Sequence, residues 1–161
     1  MVVSPLAPAC FPELPLIRGV RLTTARCGMK YQGRDDLMAM LLDPGSHVAG
    51  VFTESDTAAA APRWSRWHCR NAKARAIITN AGNANAFTGK QGMQDVIALC
   101  AGFAAHIGAQ SEDVLIASTG VIGESLDCAL ITAEFQQLAT ANDAGWQAAA
   151  NAIRTTDTFA K

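Results

Sequence analysis

Half of the 161 residues are hydrophobic, 17% are charged and 6% are aromatic, the composition of a globular chain of one domain's length. A chain of this size buries roughly 68–70% of its unfolded surface, enough for a real core. Thirteen basic and 14 acidic side chains leave a formal net charge of −1 with no basic block, which argues against nucleic acid as a partner, and no apolar run is long enough to span a bilayer.

The opening MVVSPLAPACFPELPLIRG is apolar but carries four prolines and no positive n-region, so it is a poor signal peptide. Residues 1–18 read as an extended Pro-rich arm to a single domain covering 1–161. From Gly19 the strand-like runs are GVRLTTARC, LMAMLLD (37–43) and HVAGVF (47–52), the first two separated by the turn-rich GMKYQGRDD. ARAIITN (74–80) and SEDVLIAS (111–118) are two further β-rich apolar runs. Between them, residues 91–107 place Met93, Val96, Ile97, Cys100, Ala104 and Ile107 at helical spacing. Two more helices are predicted, over Thr132–Ala139 with Thr132 as its cap, and over Asp143–Ile153 capped by Asn142 or Asp143. Strands, then strand–helix–strand, then two helices predict a mixed α/β layered domain.

The five cysteines (Cys10, Cys27, Cys69, Cys100 and Cys128) are odd in number, scattered and without a CxxC. They predict reduced core thiols in a cytoplasmic protein. His47, His68 and His106 lack ligand spacing, so no metal site is expected.

Two loops carry the candidate chemistry. NAGNANAFTGKQG (80–92) joins a predicted strand to a predicted helix, the setting of a phosphate loop. Its glycine spacing is wrong for a Walker loop, and Gln91 stands where a Mg²⁺-binding hydroxyl belongs. The simpler reading is a tight connection in which Asn83 and Asn85 bond their own backbone and tolerate left-handed φ. The second loop, IASTGVIGES (116–125), turns at Ser118-Thr119-Gly120. A hydroxyl beside a glycine N–H can aim two donors at one developing oxyanion, as acyl transfer requires. Taken alone, the simpler reading is that Gly120 makes the turn and Thr119 caps it. GxSxG is absent, and no Ser/His/Asp set assembles.

In order, GMKYQGRDDL, AGVFTESDTAAAAP, NAGNANAFTGKQGMQD, STGVIG and TTDTFAK resemble the bifunctional glutamate/ornithine N-acetyltransferase family of arginine biosynthesis, from Gly19 to Lys161. The resemblance implies the N-terminal (α-chain) portion of that layered α/β sandwich, a fold resembling but distinct from the N-terminal-nucleophile hydrolases. Family members cut themselves before an internal threonine, which then carries acetyl from N2-acetyl-L-ornithine to L-glutamate with its own α-amino group as base. Thr119 and Gly120 match the oxyanion-stabilising pair, and Thr155 matches a substrate contact. Asp157 and Thr158 order the same segment, with a substrate-facing role as the alternative. No cofactor is implied; some members use acetyl-CoA as a co-substrate.

The implied partner is the C-terminal β chain of the same precursor, in a heterotetramer of two α and two β chains. The cleavage site and nucleophile are expected beyond Lys161, and the chain alone is expected to be inactive. Departures from the family pattern are Arg154 in a usually apolar position, Ala160 in place of Pro, and no Cys before Ala-Ala-Pro. Alternatives are a related self-cleaving amidase or aminopeptidase, and a non-catalytic structural or binding module.

Overall fold

A computed structural model describes residues 3–161; of the Pro-rich arm, residues 1 and 2 lie outside it, and residues 3–18 form no helix or strand. The strands assemble into one sheet in the order β1-β2-β3-β4. β1 (Val20–Ala25) and β2 (Leu37–Leu42) form an antiparallel hairpin, and β2 pairs antiparallel with β3 (Ala76–Asn83). β3 pairs parallel with β4 (Val114–Val121), a step that requires a crossover; α2 (Gly89–Ile107) supplies it.

Register decides which face each side chain takes. Thr23, Ala39, Ile78 and Ile116 form one row across the sheet, and Ala25, Leu37, Asn80 and Ser118 form another on the same face. Ala39, Ile78 and Ile116 pack there against Val96, Leu99 and Phe103 of α2, Ile131 of α3 (Cys128–Thr132) and Phe135 and Leu138 of α4 (Phe135–Thr140). Phe103 and Phe135 meet edge-on, with centroids 5.2 Å apart. Such a pair contributes about 0.5–1.5 kcal/mol beyond the area it buries.

The opposite face receives α5 (Gly145–Ala152), whose Ala149 and Ala152 lie against Leu22 and Met38. Asp143 fixes the start of α5, accepting from Gly145 N at 2.7 Å and from Leu22 N at 3.2 Å. The β3–β4 half of this face is more open: Ile77 and Thr79 are half-buried and Ala117 is exposed.

Four expectations change. Residues 47–52 are not a strand: only a bridge from His47 to Lys73 forms, and Val51 is fully exposed at 100%. A β-prone run needs a neighbouring ladder for its backbone groups, and none lies alongside among the described residues. Residues 132–139 divide between α3 and α4. The cap is Asp127, which accepts from Ala129 N at 3.1 Å, while Thr132 ends α3. On α2 the buried stripe is Val96, Leu99, Cys100, Phe103 and Ala104, and Ile97 is 46% exposed. The thiols are not all in the core, since Cys10 is exposed and Cys69 and Cys128 are half-buried. Burial pushes the Cys27 and Cys100 thiols up to about 12, with the Asp36 carboxylate adding to the effect at Cys27.

One helix was unanticipated. α1 (Ala60–His68) carries Pro62 in its first turn, where a missing N–H leaves no helical bond unmade. It is pinned to β4 by polar bonds. Trp64 Nε1 donates to the Val114 carbonyl at 2.9 Å, and Ser65 Oγ donates to the Ile116 carbonyl at 2.7 Å while accepting from Ile116 N at 2.9 Å. Among the described residues, no helix is long and apolar enough to cross a membrane.

Candidate active site at the ends of the parallel strands

β3 and β4 run parallel, so both deliver their C-terminal residues to the sheet end that also carries the β1–β2 loop. Asp36, fully buried in that loop, accepts from Cys27 N at 2.8 Å and Gly28 N at 3.3 Å through Oδ1, and from Met29 N at 2.9 Å through Oδ2. The Asp36 carbonyl takes Ala81 N at 2.8 Å, which ties the loop to β3. One residue on, Gly82 has φ +125°, and a Cβ there would lie 3.1 Å from Lys30 Cβ. The carboxylate therefore presses the loop backbone onto the end of β3.

Replacing Asp36 by Asn keeps the shape but aims an N–H₂ at the Met29 N–H. We expect a loss of about 1–3 kcal/mol in urea unfolding, the cost of leaving a buried donor unpaired. An unchanged midpoint would contradict this assignment.

Gly120 sits on the other side of Gly82. At φ +136°, a Cβ on Gly120 would stand 2.2 Å from the Gly82 carbonyl carbon and 2.5 Å from Asn83 N. Only glycine permits this backbone-on-backbone contact. The β3–β4 register breaks here, with Asn83 opposite both Thr119 and Val121. A break of this kind interrupts the ladder and lets an amide face outward. Gly120 is exposed and Thr119 half-buried, so both can meet a ligand.

The asparagine loop is a self-bonded platform beneath this turn. Asn83 Nδ2 donates to the carbonyls of Glu124 and Ser125, each at 3.2 Å, and its Oδ1 accepts from Asn85 N at 2.7 Å. Asn85 takes a left-handed φ of 45°, as asparagine tolerates. Its Nδ2 donates to the Gly92 carbonyl at 2.9 Å and its Oδ1 accepts from Thr88 Oγ1 at 2.7 Å. A Cβ on Gly92 would overlap Thr88 Oγ1 at 1.9 Å, so this glycine makes room for the network. Asn80 donates to the Asn83 carbonyl at 2.8 Å. Its Oδ1, and Ser118 Oγ opposite it on β4, are both buried without a hydrogen-bond partner among the described residues.

Thr155 lies beyond α5, half-buried, and lines a cavity of about 480 Å³ with Val3, Tyr31, Arg34, Arg154, Asp157 and Thr158. Thr119 and Gly120 do not line that cavity. The two places are linked through the β1–β2 loop. Arg34 donates to the Arg154 carbonyl and, at 3.3 Å, to that of Asn151, while Lys30 of the same loop abuts Gly82. Asp157 pairs with Lys161, and Thr158 Oγ1 accepts from Ser4 N at 3.0 Å. Sequence reasoning missed Arg34 and Asp36. The signal for both was GRDDL, read as a turn and a family landmark but given no site residue; a charged cluster there can serve backbone groups on either side.

Fold and site together define a mixed α/β layered domain with a hydroxyl–glycine turn at the ends of parallel strands. Residues 21–161 match the ArgJ family, and the chain belongs to it. It is 48% identical over 161 residues to the arginine biosynthesis bifunctional protein ArgJ of Bradyrhizobium diazoefficiens, covering 99% of this chain and 39% of that protein. Its counterpart from Nitrobacter winogradskyi is 49% identical over 165 residues, again with 99% and 39% covered. The chain thus spans about 39% of the length of these curated relatives. Among solved structures, ornithine acetyltransferase from Mycobacterium tuberculosis, complexed with ornithine, superposes with a TM-score of 0.82 at 32% identity. That match covers 87% of this chain and 77% of the other. ArgJ from Bacillus halodurans gives 0.79 at 34% identity, covering 88% and 74%.

Proposed function

We propose that this chain is the N-terminal (α-chain) portion of a glutamate/ornithine N-acetyltransferase acting in the cytoplasm in arginine biosynthesis. It works with a C-terminal β chain in a heterotetramer of two α and two β chains, without a cofactor. The observation that carries this reading is the close approach of Gly120 to Gly82, which leaves no room for a side chain beside Thr119 while Gly120 stays exposed. Membership of the ArgJ family supports it, as does the structural likeness to an ornithine acetyltransferase.

In this reading the α-amino group of a β-chain threonine takes the proton of its own hydroxyl as that oxygen attacks the acetyl carbonyl of N2-acetyl-L-ornithine. The carbonyl π pair moves onto oxygen, where the Thr119 hydroxyl and Gly120 N–H donate to it. Collapse of the tetrahedral species expels ornithine, whose amine takes that proton back from the α-amino group, and leaves acetyl-threonine. The amine of glutamate then attacks, its proton passing through the same α-amino group to the departing threonine oxygen; the same two donors hold the second oxyanion, and N-acetylglutamate leaves. Acetyl-CoA is an alternative first donor in the same scheme. Donors fixed before the reaction gain most, because nothing reorganises as charge develops. Thr155 contacts the amino-acid part of the substrate.

The test joins this chain to the C-terminal portion of the Bradyrhizobium relative and follows acetyl transfer from N-acetylornithine. Glutamate-dependent transfer by the joined protein, with none by the 161-residue chain alone, is expected. Turnover by the chain alone contradicts the assignment of the nucleophile. Acetate release without glutamate favours the amidase alternative.

A further inference from the structure

Asn80 Oδ1 on β3 and Ser118 Oγ on β4 are polar atoms for which the fold supplies no partner among the described residues. Asn80 is only 2% exposed, and Ser118 is half-buried with its Oγ sealed from solvent. The parallel register sets the two side by side, in one row with Ala25 and Leu37. The Asn80 amide cannot turn to relieve its oxygen. Its Nδ2 donates to the Asn83 carbonyl at 2.8 Å, and a flipped amide would set Oδ1 against that carbonyl. An acceptor buried in this way bears its desolvation cost in full. Adjacent strands stand about 4.8 Å apart, a gap that one water spans with two bonds of about 2.8 Å. Buried water binds where two or more such polar groups converge.

We infer that Ser118 is a positioning residue for Thr119, acting through one buried water shared between Ser118 Oγ and Asn80 Oδ1. The water donates to the amide oxygen and accepts from the serine hydroxyl, so neither atom is left bare. It ties β4 to β3 one residue before Thr119 and two before the close approach of Gly120 to Gly82. Successive strand residues point to opposite faces, so a Ser118 held inward aims Thr119 at the open face. The same Asn80 amide holds the Asn83 carbonyl, and Asn83 is where the register breaks. One side chain therefore fixes both strand ends that build the turn. Ser65 makes a contrast, since its bonds to Ile116 anchor β4 three residues before Thr119 and go no further. The inference rests on the acetyltransferase reading for its kinetic test alone.

A high-resolution crystal structure of the joined protein is expected to show a water within hydrogen-bond distance of both atoms. A direct bond between Asn80 and Ser118, or no water between them, overturns the bridge. Urea unfolding then compares Asn80→Ala, Ser118→Ala and the double variant. The double variant is expected to lose less than the two singles combined, by a factor of about five or more in the unfolding equilibrium constant, because both singles break one bridge. Additive losses overturn the proposal. In the joined protein, Ser118→Ala is expected to lower kcat about tenfold at near-constant KM, since a displaced donor is felt chiefly as the oxyanion forms. Ser65→Ala, which loosens β4 away from the turn, is expected to lower the urea midpoint and leave kcat within about twofold of the parent. A Ser118→Ala kcat equal to that of Ser65→Ala shows a purely structural serine and overturns the positioning role. If the joined protein transfers no acetyl, the acetyltransferase reading falls while crystal and unfolding still decide the bridge. Transfer by a protein that lacks the water does the reverse.

Discussion

Gly120→Ala is expected to abolish the fold or to cost more than about 4 kcal/mol, the range reserved for severe backbone or core conflicts. Two penalties coincide. The residue has φ +136°, where an L side chain is strained, and the new Cβ would fall 2.2 Å from the Gly82 carbonyl carbon and 2.5 Å from the Gly82 oxygen. Neither neighbour can yield. Gly82 is itself pressed from behind by Lys30, and the loop bearing Lys30 is held by the three N–H bonds to Asp36. Gly123→Ala is the control, three residues on in the same segment. Gly123 also has positive φ, +84°, but nothing lies within 4 Å of its built Cβ. It should lose only the conformational part, about 1–2 kcal/mol. Urea unfolding of both variants by circular dichroism separates contact from conformation. Similar midpoints would show that the Gly82–Gly120 contact is not what holds the turn.

Much of the fold was legible because its signals are local. The runs that became β1 to β4 are β-rich and end in Gly, Asp or small polar residues, and α2 declares itself by period. Failures occurred where a local signal depends on something distant. HVAGVF has strand propensity, but a strand exists only when another lies beside it, and the chain near Val51 has no such neighbour among the described residues. α1 was hidden by its alanines and Pro62; its hold on β4 comes from Trp64 and Ser65 reaching carbonyls about fifty residues away in sequence. The division of 132–139 follows from Phe135 turning into the core against Phe103, a contact periodicity alone does not show.

The candidate site divides in the same way. Thr119 and Gly120 were legible as a motif, because a hydroxyl followed by glycine after an apolar strand is a recognisable chemical unit. Why Gly120 must be glycine was not legible, since the conflict is with Gly82 on another strand. Asn83 and Asn85 were read as self-bonding, and the Asn83 Oδ1 bond to Asn85 N is such a bond. Their reach to Glu124, Ser125 and Gly92 needed the tertiary fold. Asp36 looked like one more turn aspartate; its three partners are backbone N–H groups, which sequence does not distinguish.

The second large effect is on rate. The Thr119 hydroxyl is assigned to the oxyanion formed in both halves of the reaction, so its removal slows acetylation and deacetylation alike. Thr119→Val keeps the β-branched shape, and with it the strand and the contact at Gly120, while deleting only the donor. Loss of one such donor costs about 2.7–4 kcal/mol of barrier, a fall of roughly 10²–10³ in kcat. KM should change little, because the ground-state carbonyl is held less strongly than the oxyanion. The decisive measurement is therefore steady-state transfer of acetyl from N-acetylornithine to glutamate by the joined protein, parent against Thr119→Val. A kcat lower by roughly 10²–10³ with a near-constant KM is the predicted result. A kcat within about twofold of the parent, from a variant that unfolds at the parental urea midpoint, contradicts the account.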